Sequence, residues 1–305
     1  MKIWITGHTG MVGKALQNLI GRTDNEIVLQ SRRELDLTNY SAVKKFLENN
    51  YCDWIFITAG KVGGIQDNIN YPLDYFYENF MINNNILRVA SEKKIKKVMV
   101  LGSSCMYPKD SKQPISESTL LNGKIEKTNE GYGLAKLMSV KLAELYYIQN
   151  NCNFISVIPS AIYGPNDCFD EKRNHVIPAL IKKIYFASLD NKKTISVWGS
   201  GDALREFIFV DDLVEGLNFL MHNYNSFEPI NIGSGFEIRI RDLVEEISNI
   251  IGFKGQIVFD KSKPEGVLRK CLDSSKIFKM GWKPKIDFRD GLKKTIESYI
   301  NSLNI

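Results

Sequence analysis

The sequence predicts an α/β protein, a doubly wound parallel sheet followed by a smaller α/β domain at the C-terminal end. Three observations predict it. Short, nearly all-apolar runs alternate with helical patterns through the first half of the 305 residues, as expected for strands buried on both faces of a parallel sheet. The first run passes directly into a glycine-rich turn and then a helix, the order that opens a Rossmann-type fold. Beyond about Gly164 the segments become shorter and more polar, with frequent Pro, Gly and Asn, which marks a second unit. Composition agrees: 44% hydrophobic, 25% charged and 11% aromatic residues describe a globular chain and exclude intrinsic disorder.

Each element follows from its pattern. Lys2 to Thr6 reads as the first strand and Met11 to Ile20 as the first helix, with Ala15, Leu16, Leu19 and Ile20 on one face. Strands are expected at Glu26 to Gln30, Trp54 to Thr58, Val98 to Leu101 and Phe154 to Ile158. Between them, helices are expected at Ser41 to Glu48, Asp74 to Lys93 and Tyr132 to Gln149. The first domain is expected over 1–164, with return segments near 206–235 that include a helix at Leu213 to His222 and a strand at Pro229 to Ile232. The second domain takes most of 165–305, with a helix at Arg241 to Ile251, a strand at Gln256 to Asp260 and a last helix near Asp290 to Ser302.

Charge and cysteine usage narrow the function classes. Forty basic and 35 acidic residues give a net charge of +5. That mild excess lacks the clustered footprint of a nucleic-acid protein and suits an anionic small-molecule substrate. The basic run Lys93, Lys94, Lys96 and Lys97 reads as a solvated helix end. No apolar stretch approaches the ~18 residues of a membrane span, and the run before Gly7 is too short for a signal-peptide core. The five cysteines are scattered and form no C-x-x-C pair, so neither a disulfide framework nor a metal site is suggested. The expectation is a reduced, cytoplasmic compartment, with no membrane and no nucleic-acid partner.

The turn Gly7-His8-Thr9-Gly10-Met11-Val12-Gly13 has the spacing G-x-x-G-x-x-G between a strand and a helix. Glycine serves where the chain turns sharply and where backbone approaches a pyrophosphate, and the helix N-terminus supplies free N–H groups. A dinucleotide site follows. The second strand leads to Arg32 and Arg33, where a site for NAD usually has an acidic residue. Two guanidinium groups suit a 2′-phosphate instead, which favours NADP(H). Asp36 and Leu37, a few residues on, are placed to border the adenine.

Tyr132 and Lys136 form Y-x-x-x-K at the start of a long helix, so both side chains lie on one face. An ammonium beside a phenol stabilises the phenolate, and a tyrosine tuned this way can pass a proton to a carbonyl that receives hydride. Ser103 and Ser104, after the fourth strand, are placed to orient that carbonyl.

With these landmarks the chain resembles the extended short-chain dehydrogenases/reductases. More narrowly it resembles the GDP-L-fucose synthase family, the GDP-4-keto-6-deoxymannose 3,5-epimerase/4-reductases. The match runs through GHTGMVG (7–13), AGKVGGI (59–65), LGSSCMYPK (101–109), TNEGYGLAK (128–136), HVIPAL (175–180), VWGSG (197–201), REFIFVDDL (205–213) and SKPEGVLRK (262–270). The resemblance implies that Ser103 and Tyr132 bind and protonate the C4 oxygen and that Lys136 holds the nicotinamide ribose. It implies that Cys105 and His175 are the acid–base pair of epimerisation. It places Ala59, Leu101, Gly102, Pro159, Ala161, Ile162 and His175 around the cofactor. It places Ser104, Lys183, Trp198, Arg205 and Glu265 around a GDP-linked 4-keto sugar. In that superfamily the helices equivalent to 74–93 and 132–149 form a four-helix dimer interface, so the resemblance implies a homodimer.

Four positions depart from the family pattern. Thr9 stands where an arginine of the glycine turn is usual, Lys183 replaces an arginine, Glu265 an aspartate and Ala161 an asparagine. Three of these lie around the substrate and suit a different sugar, such as a heptose. Reduction at C4 without epimerisation, a nucleotide-sugar 4-epimerase, and a non-catalytic NADP-binding regulator are the alternative readings. A dehydratase is disfavoured, because Ser104-Cys105-Met106 offers no carboxylate where that chemistry needs one.

Overall fold

The computed structural model describes residues 1–171, 173–263 and 266–303. The chain runs through β1 (Lys2–Thr6), α1 (Met11–Ile20), β2 (Glu26–Val28), α2 (Tyr40–Asn49), β3 (Trp54–Ile57), α3 (Ile65–Asn70), α4 (Pro72–Glu92), β4 (Lys97–Leu101), α5 (Glu130–Asn150) and β5 (Phe154–Pro159). It continues through β6 (Ala161–Tyr163), α6 (Val176–Leu189), β7 (Thr194–Trp198), β8 (Leu204–Phe209), α7 (Val210–Asn223), β9 (Ile230–Ile232), β10 (Glu237–Arg239), α8 (Ile240–Ile251), β11 (Gln256–Asp260), β12 (Arg269–Lys270), α9 (Ser275–Lys279) and α10 (Phe288–Leu303).

Six parallel strands form the main sheet in the order β2-β1-β3-β4-β5-β9. Side chains alternate along each strand, and both faces are covered, which is why the strands read as unbroken apolar runs. In β1, Trp4 points to the face packed by α2, α4 and α5 through Val43, Ile86 and Val140. Ile3 and Ile5 point to the opposite face, against Leu16 of α1 and Leu213 and Leu217 of α7. The strand order reverses between β1 and β3, so a crevice opens at their carboxyl ends. The two strand ends are tied there: Thr58 Oγ1 donates to Thr6 O at 2.5 Å, and Ala59 N donates to Thr6 Oγ1 at 3.2 Å.

A second sheet centres on β8, with β10 antiparallel to it and β6 and β12 parallel. β7 and β11 pair separately. A third apolar core joins α6, α8 and α10 to these strands through Ile181, Ile247, Leu292, Phe207 and Phe209. The region after Gly164 is thus richer in regular structure than its polar composition predicts. α6, β7 and β8 all lie in it. α6 tolerates Pro178 because the proline falls in the first helical turn, where its missing N–H has no intrahelical partner to lose. β8 was masked by Glu206, a buried carboxylate that accepts hydrogen bonds from Gly235 N and Leu272 N, each at 2.8 Å.

Two further expectations are corrected. β2 stops at Val28 rather than Gln30, because the chain turns at Ser31, whose N and Oγ both donate to Glu34 Oε2. Lys97 is not a solvated helix end. It opens β4, is 4% exposed, and donates to Leu220 O, Tyr224 O and Asn225 Oδ1 at the end of α7. Desolvation lowers its pKa from 10.5 to about 8.

Candidate active site

The glycine turn sits at the crevice. Gly7 has φ +68°, and a Cβ there would lie 2.7 Å from Ala59 Cα, so only glycine fits between the ends of β1 and β3. A Cβ on Gly13 would lie 2.3 Å from Gly7 O, so the third glycine lets α1 pack directly on the turn. Gly10 caps α1 without a side-chain hydrogen bond, and the first helical turn carries no acidic residue. Its N–H groups and positive dipole end therefore face the crevice uncontested. Thr9 and Gly10 are exposed, Met11 and Val12 half-buried, and His8 Nδ1 is buried without a partner among the described residues. These residues fit a dinucleotide pyrophosphate.

Arg32 and Arg33 are exposed beyond β2, and Arg32 Nη2 pairs with Glu78 Oε2 of α4 at 3.1 Å. Lys61 Nζ meets the other oxygen of Glu78 at 3.3 Å. Asp36 is occupied by its own turn, accepting from Thr38 N and Oγ1 at 2.9 and 2.7 Å. Leu37 is half-buried, and its carbonyl accepts from Asn85 Nδ2 at 3.0 Å. Arg32 is thus linked through Glu78 to Lys61, and two exposed guanidinium groups suit an added phosphate.

At the end of β4, Leu101 and Gly102 lead into a short 3-10 turn, Ser104–Met106. Ser103 caps it, its Oγ accepting from Cys105 N at 3.2 Å. α5 packs backbone to backbone on this turn, because a Cβ on Gly133 would lie 2.6 Å from Cys105 O. That contact brings Tyr132 beside Ser103 and Cys105. Lys136 is 5% exposed and donates to Leu101 O at 2.9 Å, with Nζ 5.8 Å from the Tyr132 ring centroid.

The electrostatics differ from the expectation of a phenol pulled down by its lysine. Burial pushes the Tyr132 phenol above its ordinary value, and the nearby Cys105 adds to the rise, while a hydrogen bond from the Ser103 side chain opposes it. Desolvation lowers the Lys136 ammonium to about 8. The phenol is therefore protonated at neutral pH, the form that a proton donor requires.

The other expected residues lie around this centre. Pro159 ends β5, Ala161 and Ile162 begin β6, and the intervening Ser160 Oγ is buried without a partner. His175 is the N-cap residue of α6; its side chain reaches solvent, yet desolvation around the ring lowers its pKa. Among the described residues no hydrogen bond links His175 to Cys105 or Tyr132. Lys183 donates to Ser196 O at 2.7 Å, and Trp198, 62% exposed, has Lys263 Nζ 6.0 Å from its ring. Arg205 donates to Leu204 O at 2.8 Å. Glu265 lies outside the described residues. Sequence reasoning missed Asn129 and Lys270. Both donate to Cys105 Sγ, at 3.2 and 3.8 Å. Both fall inside matched stretches, but spacing gives no hint that residue 270 reaches residue 105.

The sequence pattern of the NAD dependent epimerase/dehydratase family matches residues 3–233. A GDP-L-fucose synthase from Sinorhizobium fredii is 42% identical over 302 residues, 99% of this chain and 96% of that protein. A GDP-6-OMe-4-keto-L-xylo-heptose reductase from C. jejuni superposes with a TM-score of 0.94 at 34% identity, covering 99% of this chain and 98% of that one. A GDP-mannoheptose C4 reductase from Campylobacter jejuni, with NADP bound, gives 0.89 at 36% identity over 98% of each chain. The chain belongs to the NAD dependent epimerase/dehydratase family and, within it, to the group that includes the GDP-L-fucose synthases.

Proposed function

We propose that this chain is an NADP(H)-dependent oxidoreductase that reduces the C4 ketone of a GDP-linked 4-keto sugar. The observation that carries the reading is the packing of Gly133 on the Cys105 turn, which joins Ser103, Tyr132 and Lys136 into one centre at the same sheet edge as the glycine turn. The names of the relatives, a GDP-L-fucose synthase and GDP-heptose reductases, support the substrate class. NADP in the mannoheptose reductase structure supports the cofactor.

Residues 7–13 would hold the pyrophosphate, Arg32 and Arg33 the 2′-phosphate, and Lys136 the nicotinamide ribose. When bound, NADPH supplies a hydride to the ketone carbon. Tyr132 gives its proton to the C4 oxygen, and the Ser103 hydroxyl orients that oxygen. Where epimerisation precedes reduction, Cys105 and His175 would be its acid–base pair on the carbons flanking the ketone. Trp198 packs on the base or sugar, and Lys183 and Arg205 meet the diphosphate, with lysine acting as a point charge rather than a fork. Glu265 completes that subsite in the reading.

We take 1–164 with 206–235 as the cofactor domain and the remainder as the sugar domain. The exposed stripe Leu134, Met138, Leu145 and Ile148 on α5, beside Leu73 and Tyr77 of α4, supports a homodimer through these helices. Among the described residues no helix is long and apolar enough to cross a membrane, and all five cysteines are free. The free thiols favour a reducing, cytoplasmic setting.

The test follows NADPH absorbance with GDP-4-keto-6-deoxymannose and with a GDP-4-keto heptose. Oxidation with either supports the reading, and none with both overturns it. Product NMR in deuterated water then separates the arms. Deuterium at C3 or C5 marks epimerisation, and its absence marks a simple C4 reductase.

A further inference from the structure

We propose that Lys270 is a positioning residue for Cys105: its ammonium, together with the Asn129 amide, donates to the sulfur and holds it as the base that removes a proton from the carbon beside the substrate ketone. The inference rests on the epimerising arm of the proposed function and deepens it.

The two donors reach the sulfur from distant parts of the chain. Asn129 Nδ2 stands 3.2 Å from Cys105 Sγ, and Lys270 Nζ 3.8 Å from it. An amide N–H and an ammonium only donate, so neither competes with the sulfur for a proton from carbon. Among the described residues no carboxylate pairs with Lys270. Its neighbour Arg269 is paired twice, through Nε and Nη2, with Glu237 at 2.8 and 2.6 Å. Successive residues of β12 alternate sides. Arg269 thus takes the surface carboxylate, and Lys270 is turned toward the thiol.

The backbone that presents Lys270 is held on several sides. Lys270 pairs with Arg205 of β8 in register. Cys271 N donates to Gln113 Oε1 at 2.9 Å, Ile115 N to Cys271 O at 2.8 Å, and Leu272 N to the buried Glu206 at 2.8 Å. The segment 113–115 continues the chain that carries Cys105, so base and cation belong to one stitched unit. In the step itself the C–H bond next to the ketone breaks, and its electron pair passes into the ketone to form an enolate. The proton forms the S–H bond of Cys105. A cation beside the sulfur favours the charged nucleophile before that transfer.

The test measures native-state alkylation of Cys105 by iodoacetamide at neutral pH, mapped by peptide mass spectrometry. It compares the unaltered chain with Lys270→Met and Lys270→Arg. Loss of the cation is expected to slow alkylation about tenfold, and arginine to keep it within about threefold. Asn129→Ala gives an independent second reading and should slow it as well. NADPH affinity, expected to be unchanged, reports that each variant is folded. Equal alkylation rates in the unaltered chain and in folded Lys270→Met overturn the inference, even if ketone reduction proceeds. Slowed alkylation in a chain that reduces neither GDP-4-keto sugar supports the pairing and overturns the reductase reading instead.

Discussion

At the scale of single residues, burial sets which groups do chemistry and which only hold the fold. Tyr132 is kept protonated by desolvation and oriented by Ser103. Tyr132→Phe keeps the ring packing against Tyr75 and removes the proton. The expected result is a fall in kcat of about a thousandfold with NADPH affinity unchanged, read by steady-state kinetics and fluorescence titration. Lys97 is the structural counterpart, with a folded pKa near 8 against an ordinary 10.5. Between these values the unfolded chain binds the proton that the folded chain has released, so stability rises with pH. Thermal unfolding should show the unaltered chain gaining about 3 kcal/mol relative to Lys97→Met across that window, and no relative gain below pH 8. The sequence marked Tyr132, Lys136 and Ser103 through their spacing. It misplaced Lys97, because a lysine at the end of a basic run looks solvated until α7 is seen to close over it.

At the scale of elements, two close approaches assemble the site. Gly133→Ala places a Cβ 2.6 Å from Cys105 O, which forces α5 away from the turn. A stability loss of about 1–3 kcal/mol is expected, with kcat reduced more than tenfold, from thermal unfolding and turnover measurements. Gly13→Ala meets Gly7 O at 2.3 Å and should abolish NADPH binding in a fluorescence titration while the cofactor-free chain remains folded by circular dichroism. The first strand, turn and helix were legible because three local rules coincide there: an apolar run, glycine spacing and helical periodicity. β6 and β12 were not, since each is short and gains its identity from pairing across the sheet rather than from its own pattern, and β8 was hidden by the buried carboxylate of Glu206.

At the scale of the whole molecule, the apolar stripe of α5 remains on the surface of the single chain. Leu145, 56% exposed, lies in its middle. In the homodimer proposed above, of about twice 34.8 kDa, Leu145→Lys should leave a monomer in sedimentation or light scattering. The same substitution should leave the Ser103–Tyr132–Lys136 centre intact, because Leu145 is exposed while Gly133 and Lys136 of the same helix are buried against Cys105 and Leu101.

The amino-acid order alone determined the sheet class, the dinucleotide turn, the paired arginines and the tyrosine–lysine centre. Each of these depends on contacts within a few residues and on the alternation of apolar side chains, which the linear chain displays directly. The tertiary structure alone decided that residue 270 reaches residue 105, that Glu206 crosslinks β8 to two distant loops, and that Tyr132 is raised rather than lowered. These are matters of long-range approach and of exclusion from water, and neither quantity exists until separate elements pack together.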